Sequence, residues 1–183
     1  MSYSSTSPPP GLVGTPRRRL DGRSILALVL FLAASFAAAA FGVATTTSAI
    51  EGWYAEAAKV AWTPPNWLFG PVWTVLYILM AVAAWLVWLR RRFEHVTPAL
   101  TLYGAQLLLN AVWSPIFFAG YTLIGPSALW VALAVILLLD ICVLATILTF
   151  RPVSRTAAVL LLPYLAWILY ATTLNWGIAV LNS

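Results

Sequence analysis

The side chains best suited to chemistry lie inside long apolar stretches. Asp140 is the only acidic or basic residue well inside one of them. A carboxylate at such depth costs roughly 2.5–3.5 kcal/mol on insertion scales and by default marks a function. A structural role is open as well: Asn, Trp or Thr partners could hold Asp140, or it could simply be protonated. Gln106 and Asn110 are four apart and share one helical face, with Trp113 one turn on. Tyr164, Trp167, Ala171 and Asn175 recur at helical spacing, and so do Trp73, Tyr77 and Met80. Three segments thus each carry an aromatic or amide stripe. Such stripes can bond helix to helix, at roughly 0.6 kcal/mol per contact. They can equally line a cavity in which a flat apolar ligand stacks on rings and bonds to their polar handles. Spacing leaves both readings open.

Other chemistry is not supported. There is no Ser/His/Asp set, no His/Cys/Glu metal cluster and no phosphate-binding glycine loop, so neither a cofactor nor a metal is expected. A Trp-rich pocket could still support light- or radical-driven oxidation of a bound pigment. Cys142 is the single cysteine and builds no disulfide or metal framework. The lone His95, beside Arg92 and Glu94, reads as a solvated loop residue.

Composition says what must position these stripes. Apolar types make up 62% of the 183 residues and charged types 8%. A soluble domain carries about 25% charged residues. Five stretches, 25–45, 68–89, 99–118, 127–150 and 157–181, approach the ~20 apolar residues needed to span a bilayer. In lipid each must pair its backbone internally, so each is predicted to be helical. The expected fold is an all-α membrane protein, a five-transmembrane-helix bundle over 25–183 in contact with the lipid bilayer. Short connections predict that sequential spans are antiparallel neighbours.

The net charge of +5 is a topology signal. Arg17, Arg18, Arg19 and Arg23 precede the first span, Arg90, Arg91 and Arg92 follow the second, and Arg151 and Arg155 follow the fourth. With five spans these lie on one side and Lys59 on the other. That predicts a cytoplasmic N-terminus and an external C-terminus, and no nucleic-acid site. Residues 1–24, rich in Ser, Pro and Gly, are expected to form a disordered basic cytoplasmic tail. The basic residues and Ala37–Ala40 also resemble a cleavable signal peptide, but the apolar run is longer than a usual signal core.

The connection 46–67 is the longest. It holds Glu51, Trp53, Tyr54, Glu56, Lys59, Trp62, Pro64, Pro65 and Trp67. Gly125-Pro126 marks a turn between the third and fourth spans, and Pro115 and Pro163 are expected to kink or end their helices. Of ten tryptophans, Trp67, Trp85, Trp88 and Trp130 suit an interfacial belt. Trp53 and Trp62 suit it less. Trp73 and Trp167 sit within spans and point to an aromatic pocket.

The run Trp53-Tyr54, Lys59, Trp62-Thr63-Pro64-Pro65, Phe69-Gly70-Pro71-Val72-Trp73 and Leu76-Tyr77 resembles the TspO/MBR family, the tryptophan-rich sensory proteins related to the mitochondrial translocator protein. Gln106-Leu107, Asn110, Trp113 and Phe117-Phe118 continue the likeness, as do Pro163-Tyr164, Trp167, Ala171 and Leu174-Asn175. The resemblance implies a bundle that is usually a homodimer, with a cavity for porphyrin or haem-type tetrapyrroles and sterol-like or benzodiazepine-type ligands. It implies tetrapyrrole-responsive or stress-responsive regulation, and in some members light-dependent porphyrin breakdown, for which Trp73 and Trp167 would be the reactive pair. By the same likeness Trp53, Tyr54, Asn110, Gln106 and Ala171 join the ligand-binding set, and a bacterial inner membrane is the expected location. The chain departs from the family at Lys59-Val60, where Lys-Pro is usual, and at Ala81, where Gly is common. No basic residue follows Tyr170, which speaks against a sterol-recognition pattern.

Overall fold

The computed structural model describes residues 21–183, so most of the tail expected at 1–24 lies outside the described residues. The helices in order are α1 (Gly22–Glu51), α2 (Trp53–Glu56), α3 (Asn66–Trp88), α4 (Thr97–Ile124), α5 (Ser127–Val153), α6 (Arg155–Leu160) and α7 (Leu162–Leu181). Among the described residues five spans are long and apolar enough to cross a membrane, α6 and α7 together making the fifth.

Several ends differ from the expected ones for local reasons. The Asp21 carboxylate accepts the Ser24 N–H at 2.8 Å and caps α1, so the helix begins at Gly22, inside the range assigned to the tail. At its other end α1 continues past residue 45 to Glu51. Thr45, Thr46 and Thr47 donate their hydroxyls back to the carbonyls of Phe41, Gly42 and Val43. Back-bonding satisfies these polar groups within the helix, so a Thr-rich stretch that reads as loop stays helical. Pro115 lies inside α4 without ending it, and α4 runs on to Ile124. Pro163 stands in the first turn of α7, where its missing N–H costs nothing; the fifth span is divided there into α6 and α7. Gly125 makes the expected turn, with φ of 63°.

The spans do not pack in simple sequence order. α1 packs against both α3 and α4, which themselves touch only slightly. α4 then packs on α5, α5 on α6 and α7, and α6 returns to α3. The expectation that all sequential spans are neighbours holds least for the second and third, whose backbones touch only slightly while α1 packs on both. Small residues let α3 sit deep: Ala81, Ala83 and Ala84 are fully buried beside Met80.

Polarity is inverted relative to a soluble protein. Leu30, Leu108, Ile141 and Leu148 point outward, more than half exposed, while Ser35, Gln106, Asn110, Asp140, Thr146 and Asn175 are buried. Apolar faces of this extent are stable only against lipid. The chain is an integral membrane protein. α1 belongs to its core: buried Ser35 hydrogen-bonds Tyr103 of α4 at 3.0 Å, and the Trp85 indole of α3 donates to the Ser24 carbonyl at 2.9 Å.

Candidate functional site

The stripes of α3, α4 and α7 meet in a buried polar line. The Tyr77 hydroxyl donates to Asn110 Oδ1 at 2.6 Å, and Asn110 Nδ2 donates to the Tyr164 hydroxyl at 3.1 Å. Asn110 is suited to this place because its amide both accepts and donates. Trp73 covers the line, its ring centroid 5.4 Å from Tyr77 and 6.1 Å from Tyr164. Trp167 lies one turn on from Tyr164, edge-on to Phe69 at 5.7 Å. Ala171 continues that face, half-buried against the same core. Gln106, one turn before Asn110, reaches the Met80 sulfur at 3.8 Å through Nε2.

Asp140 enters from α5. Its Oδ2 accepts the Thr172 hydroxyl of α7 at 2.9 Å, two turns beyond Tyr164 on that helix. Three buried polar atoms here make no hydrogen bond: Asp140 Oδ1, Gln106 Oε1 and Trp167 Nε1. Each unpaired group costs on the order of 1–3 kcal/mol.

A second, aromatic group sits at the end of the bundle that carries the α1–α3 connection. Trp53 stacks on Tyr121 at 3.9 Å and donates its indole N–H to the Phe118 carbonyl at 2.9 Å. Tyr54 packs edge-on to Phe118 at 5.3 Å, and Lys59 Nζ sits 4.8 Å over the Tyr54 ring. Burial pushes the Tyr54 phenol up from its ordinary pKa. Trp113 joins the two groups. It stacks on Phe117 at 5.0 Å and donates to Asn175 Oδ1 at 3.1 Å, while Asn175 Nδ2 donates to the Leu129 carbonyl.

The connection itself is clamped onto α7. The Asn182 amide makes two reciprocal hydrogen bonds to the Ala58 backbone, both 2.9 Å. The Tyr170 hydroxyl donates to the Trp62 carbonyl at 2.6 Å, and the Trp62 indole donates to Thr173 at 3.3 Å. Val60 rests directly on Gly177, where a Cβ would lie 2.3 Å from Val60 Cγ1.

The sequence profile of the TspO/MBR family matches residues 28–181. The chain belongs to the TspO/MBR family. The "Tryptophan-rich protein TspO" of Archaeoglobus fulgidus is 40% identical over 160 residues, 87% of this chain and 99% of that protein. The human "Translocator protein" is 43% identical over 126 residues, 68% of this chain and 71% of its own length. The "Tryptophan-rich sensory protein" of Cereibacter sphaeroides is 39% identical over 147 residues, 79% and 87% of the two chains.

In this TspO/MBR member the twelve positions singled out as ligand-binding fall into two places. Trp73, Tyr77, Asn110, Tyr164, Trp167, Ala171, Gln106 and Asp140 flank the α3–α4–α7 line. Trp53 and Tyr54 form the aromatic group, and Trp113 with Asn175 bridges the two. Sequence reasoning did not single out Thr172, although Tyr164, Ile168 and Thr172 share one helical face. It also missed Asn182 and the Val60–Gly177 contact. Among the described residues no cluster of His, Cys, Asp or Glu could hold a metal ion.

Proposed function

We propose that this protein binds a porphyrin-type tetrapyrrole between α3, α4 and α7 and serves as a membrane sensor of it. The observation that carries the reading is the Tyr77–Asn110–Tyr164 line beneath Trp73 and beside Trp167. A flat ligand would stack on those rings, and its polar edge would satisfy the unpaired Trp167 Nε1 and Gln106 Oε1. The near-absence of charge suits such a ligand and is a poor lining for an ion pathway.

The test is titration with protoporphyrin IX in the dark, read by quenching of tryptophan fluorescence. Saturable quenching is expected, with affinity weakened at least tenfold in the Trp73→Phe/Trp167→Phe double variant. Unchanged affinity in that variant would place the ligand elsewhere. The unbonded Trp167 indole favours a second reading, light-dependent porphyrin oxidation. It requires loss of pigment absorbance under illumination together with a distinct product, and binding without product eliminates it. Transport of porphyrin or other apolar ligands, in keeping with the name of the human relative, has less support: five spans do not form two equal repeats, and flux across liposomes would be needed to establish it.

The same reading puts the N-terminus in the cytoplasm and the C-terminus outside, in a bacterial inner membrane, on the side preference of the arginines. It takes the protein to be a homodimer, for which exposed Gly104 on α4 offers a point of close approach.

A further inference from the structure

The arginine-rich end of the bundle holds an open cleft, lined by none of the residues proposed to hold the tetrapyrrole. Its volume is about 460 Å³, and Arg90, Arg151, Arg155, Ser154 and Thr156 line it. Membrane topology asks only that positive charge lie somewhere in short connections. It does not ask that charges from two different connections face one cleft. Here they do. Arg90 stands just beyond α3, Arg151 lies in the last turn of α5 and Arg155 opens α6. α6 packs on both α3 and α5, which brings the three together. The bend at Ser154 is what lets Arg151 and Arg155 flank the cleft. That residue is extended, with φ −155° and ψ 107°, between two helical stretches.

Among the described residues none of these three guanidiniums has a hydrogen-bond or ion-pair partner. Arg91, by contrast, is held over the Trp88 ring at 3.2 Å and donates to the Trp88 carbonyl. Free guanidinium forks match the oxygens of a phosphate in pairs. The volume lies within the roughly 300–1,000 Å³ common for small-ligand sites.

Two exposed apolar stripes run from the cleft along the spans. Leu148 and Leu144 precede Arg151 by one and two turns and are 58% and 47% exposed. Val159 and Leu162 follow Arg155 in the same way and are 59% and 49% exposed. An anion site with greasy tracks leading into the bilayer has the shape of a phospholipid, and a soluble anion would have no use for the tracks. We propose that this cleft binds the headgroup of an anionic phospholipid, its phosphodiester held by Arg90, Arg151 and Arg155 and its acyl chains laid along α5 and α6–α7.

Native mass spectrometry of the detergent-solubilised protein, offered equal phosphatidylglycerol and phosphatidylcholine with matched chains, tests this. The wild type is expected to retain phosphatidylglycerol several-fold over phosphatidylcholine. The Arg151→Gln/Arg155→Gln variant should lose most of the preference and retain the two lipids nearly equally. The Arg23→Gln/Arg92→Gln variant, which removes the same charge elsewhere, should keep it. The Arg151→Lys/Arg155→Lys variant should retain part of it, since charge persists without the fork. Equal retention of the two lipids by the wild type overturns the proposal whether or not any variant folds. Equal losses in the two glutamine doubles overturn it as well, by reducing the site to diffuse surface charge. Displacement of the lipid by millimolar inorganic phosphate, but not by chloride at matched ionic strength, would assign the cleft to a soluble anion and overturn the lipid assignment.

Discussion

Replacing Gly177 by alanine should loosen the connection between α1 and α3 while leaving the bundle intact. The added Cβ would stand 2.3 Å from Val60 Cγ1, 3.5 Å from its Cβ and 3.6 Å from Cγ2. Carbon atoms settle at about 3.5–4.0 Å, so Val60 must retreat by about 1.2 Å, the difference between the near limit and the contact. Rotation about χ1 offers little relief, because valine is stiff there and its other branch is already in contact. The backbone of the connection has to move instead. Overpacking of this kind costs about 1–3 kcal/mol. The anchors that oppose the movement are the Asn182–Ala58 pair, the Tyr170–Trp62 bond and the Trp62–Thr173 bond, each contributing about 0.5–1.5 kcal/mol. The two quantities are comparable, so at least one anchor should open. At a tenfold change per 1.4 kcal/mol, the undocked population should rise about 5- to 150-fold.

The sequence supplies its own reporter. Lys59 is the only lysine in the chain and lies in this connection. A lysine-specific protease can therefore cut at one place only, and its rate follows the open population when reclosing is fast. Gly177→Ala should be nicked faster by the factor above, and Val60→Ala in the same chain should return the rate to near that of the wild type. A wild-type rate in Gly177→Ala, or no rescue by Val60→Ala, would refute the account of how the connection is held.

Three other outcomes are expected. Asn110→Leu strands the Tyr77 and Tyr164 hydroxyls and should lower stability in detergent by about 1–3 kcal/mol; thermal unfolding that shifts by less than the equivalent of about 0.5 kcal/mol would show that the polar line holds little. Asp140→Asn keeps an acceptor for Thr172 while removing the acid, and should be at least as stable as the wild type in the same measurement, whereas a marked loss would mean that the charged form is the stabilising one. Tyr54 has its folded-state pKa raised by burial, so the folded state holds this proton more tightly than the unfolded one. Its contribution is therefore complete below the ordinary tyrosine pKa of about 10 and is lost as pH rises above it. Wild type should lose more thermal stability than Tyr54→Phe between pH 9.5 and roughly 11, and parallel losses would exclude a part for Tyr54.

The spans and their stripes were legible because lipid imposes a strict requirement on length and on backbone pairing. Spacing alone put Tyr77, Asn110 and Tyr164 on the faces that meet. It could not say which stripe faces which, because α1 packs on both α3 and α4, whose backbones touch only slightly, and nothing in the spacing of either reveals where their side chains meet. The extension of α1 was hidden in three threonines whose hydroxyls turn back onto the helix instead of seeking water. Pro115 was expected to kink or end its helix, and it does not end α4, which runs on to Ile124. Gly177 was overlooked because one glycine in an apolar helix carries no signal until the residue across from it is known, and that residue, Val60, is the same position at which the chain departs from the family's usual Lys-Pro.

The ring of helices also has an order in time. Ribosomal synthesis delivers α1 first, and α3 and α4 can settle on its two sides as each emerges. The wall of the proposed ligand site formed by Tyr164, Trp167 and Ala171 belongs to the last span, and the return contact of α6 on α3 closes the circle. A nascent chain is therefore without that wall until its final helix is in the bilayer. Any chain cut short before Arg155 would lack Tyr164, Thr172 and Asn175, and so leave the Asn110 amide, the Asp140 carboxyl and the Trp113 indole without their partners inside the bilayer.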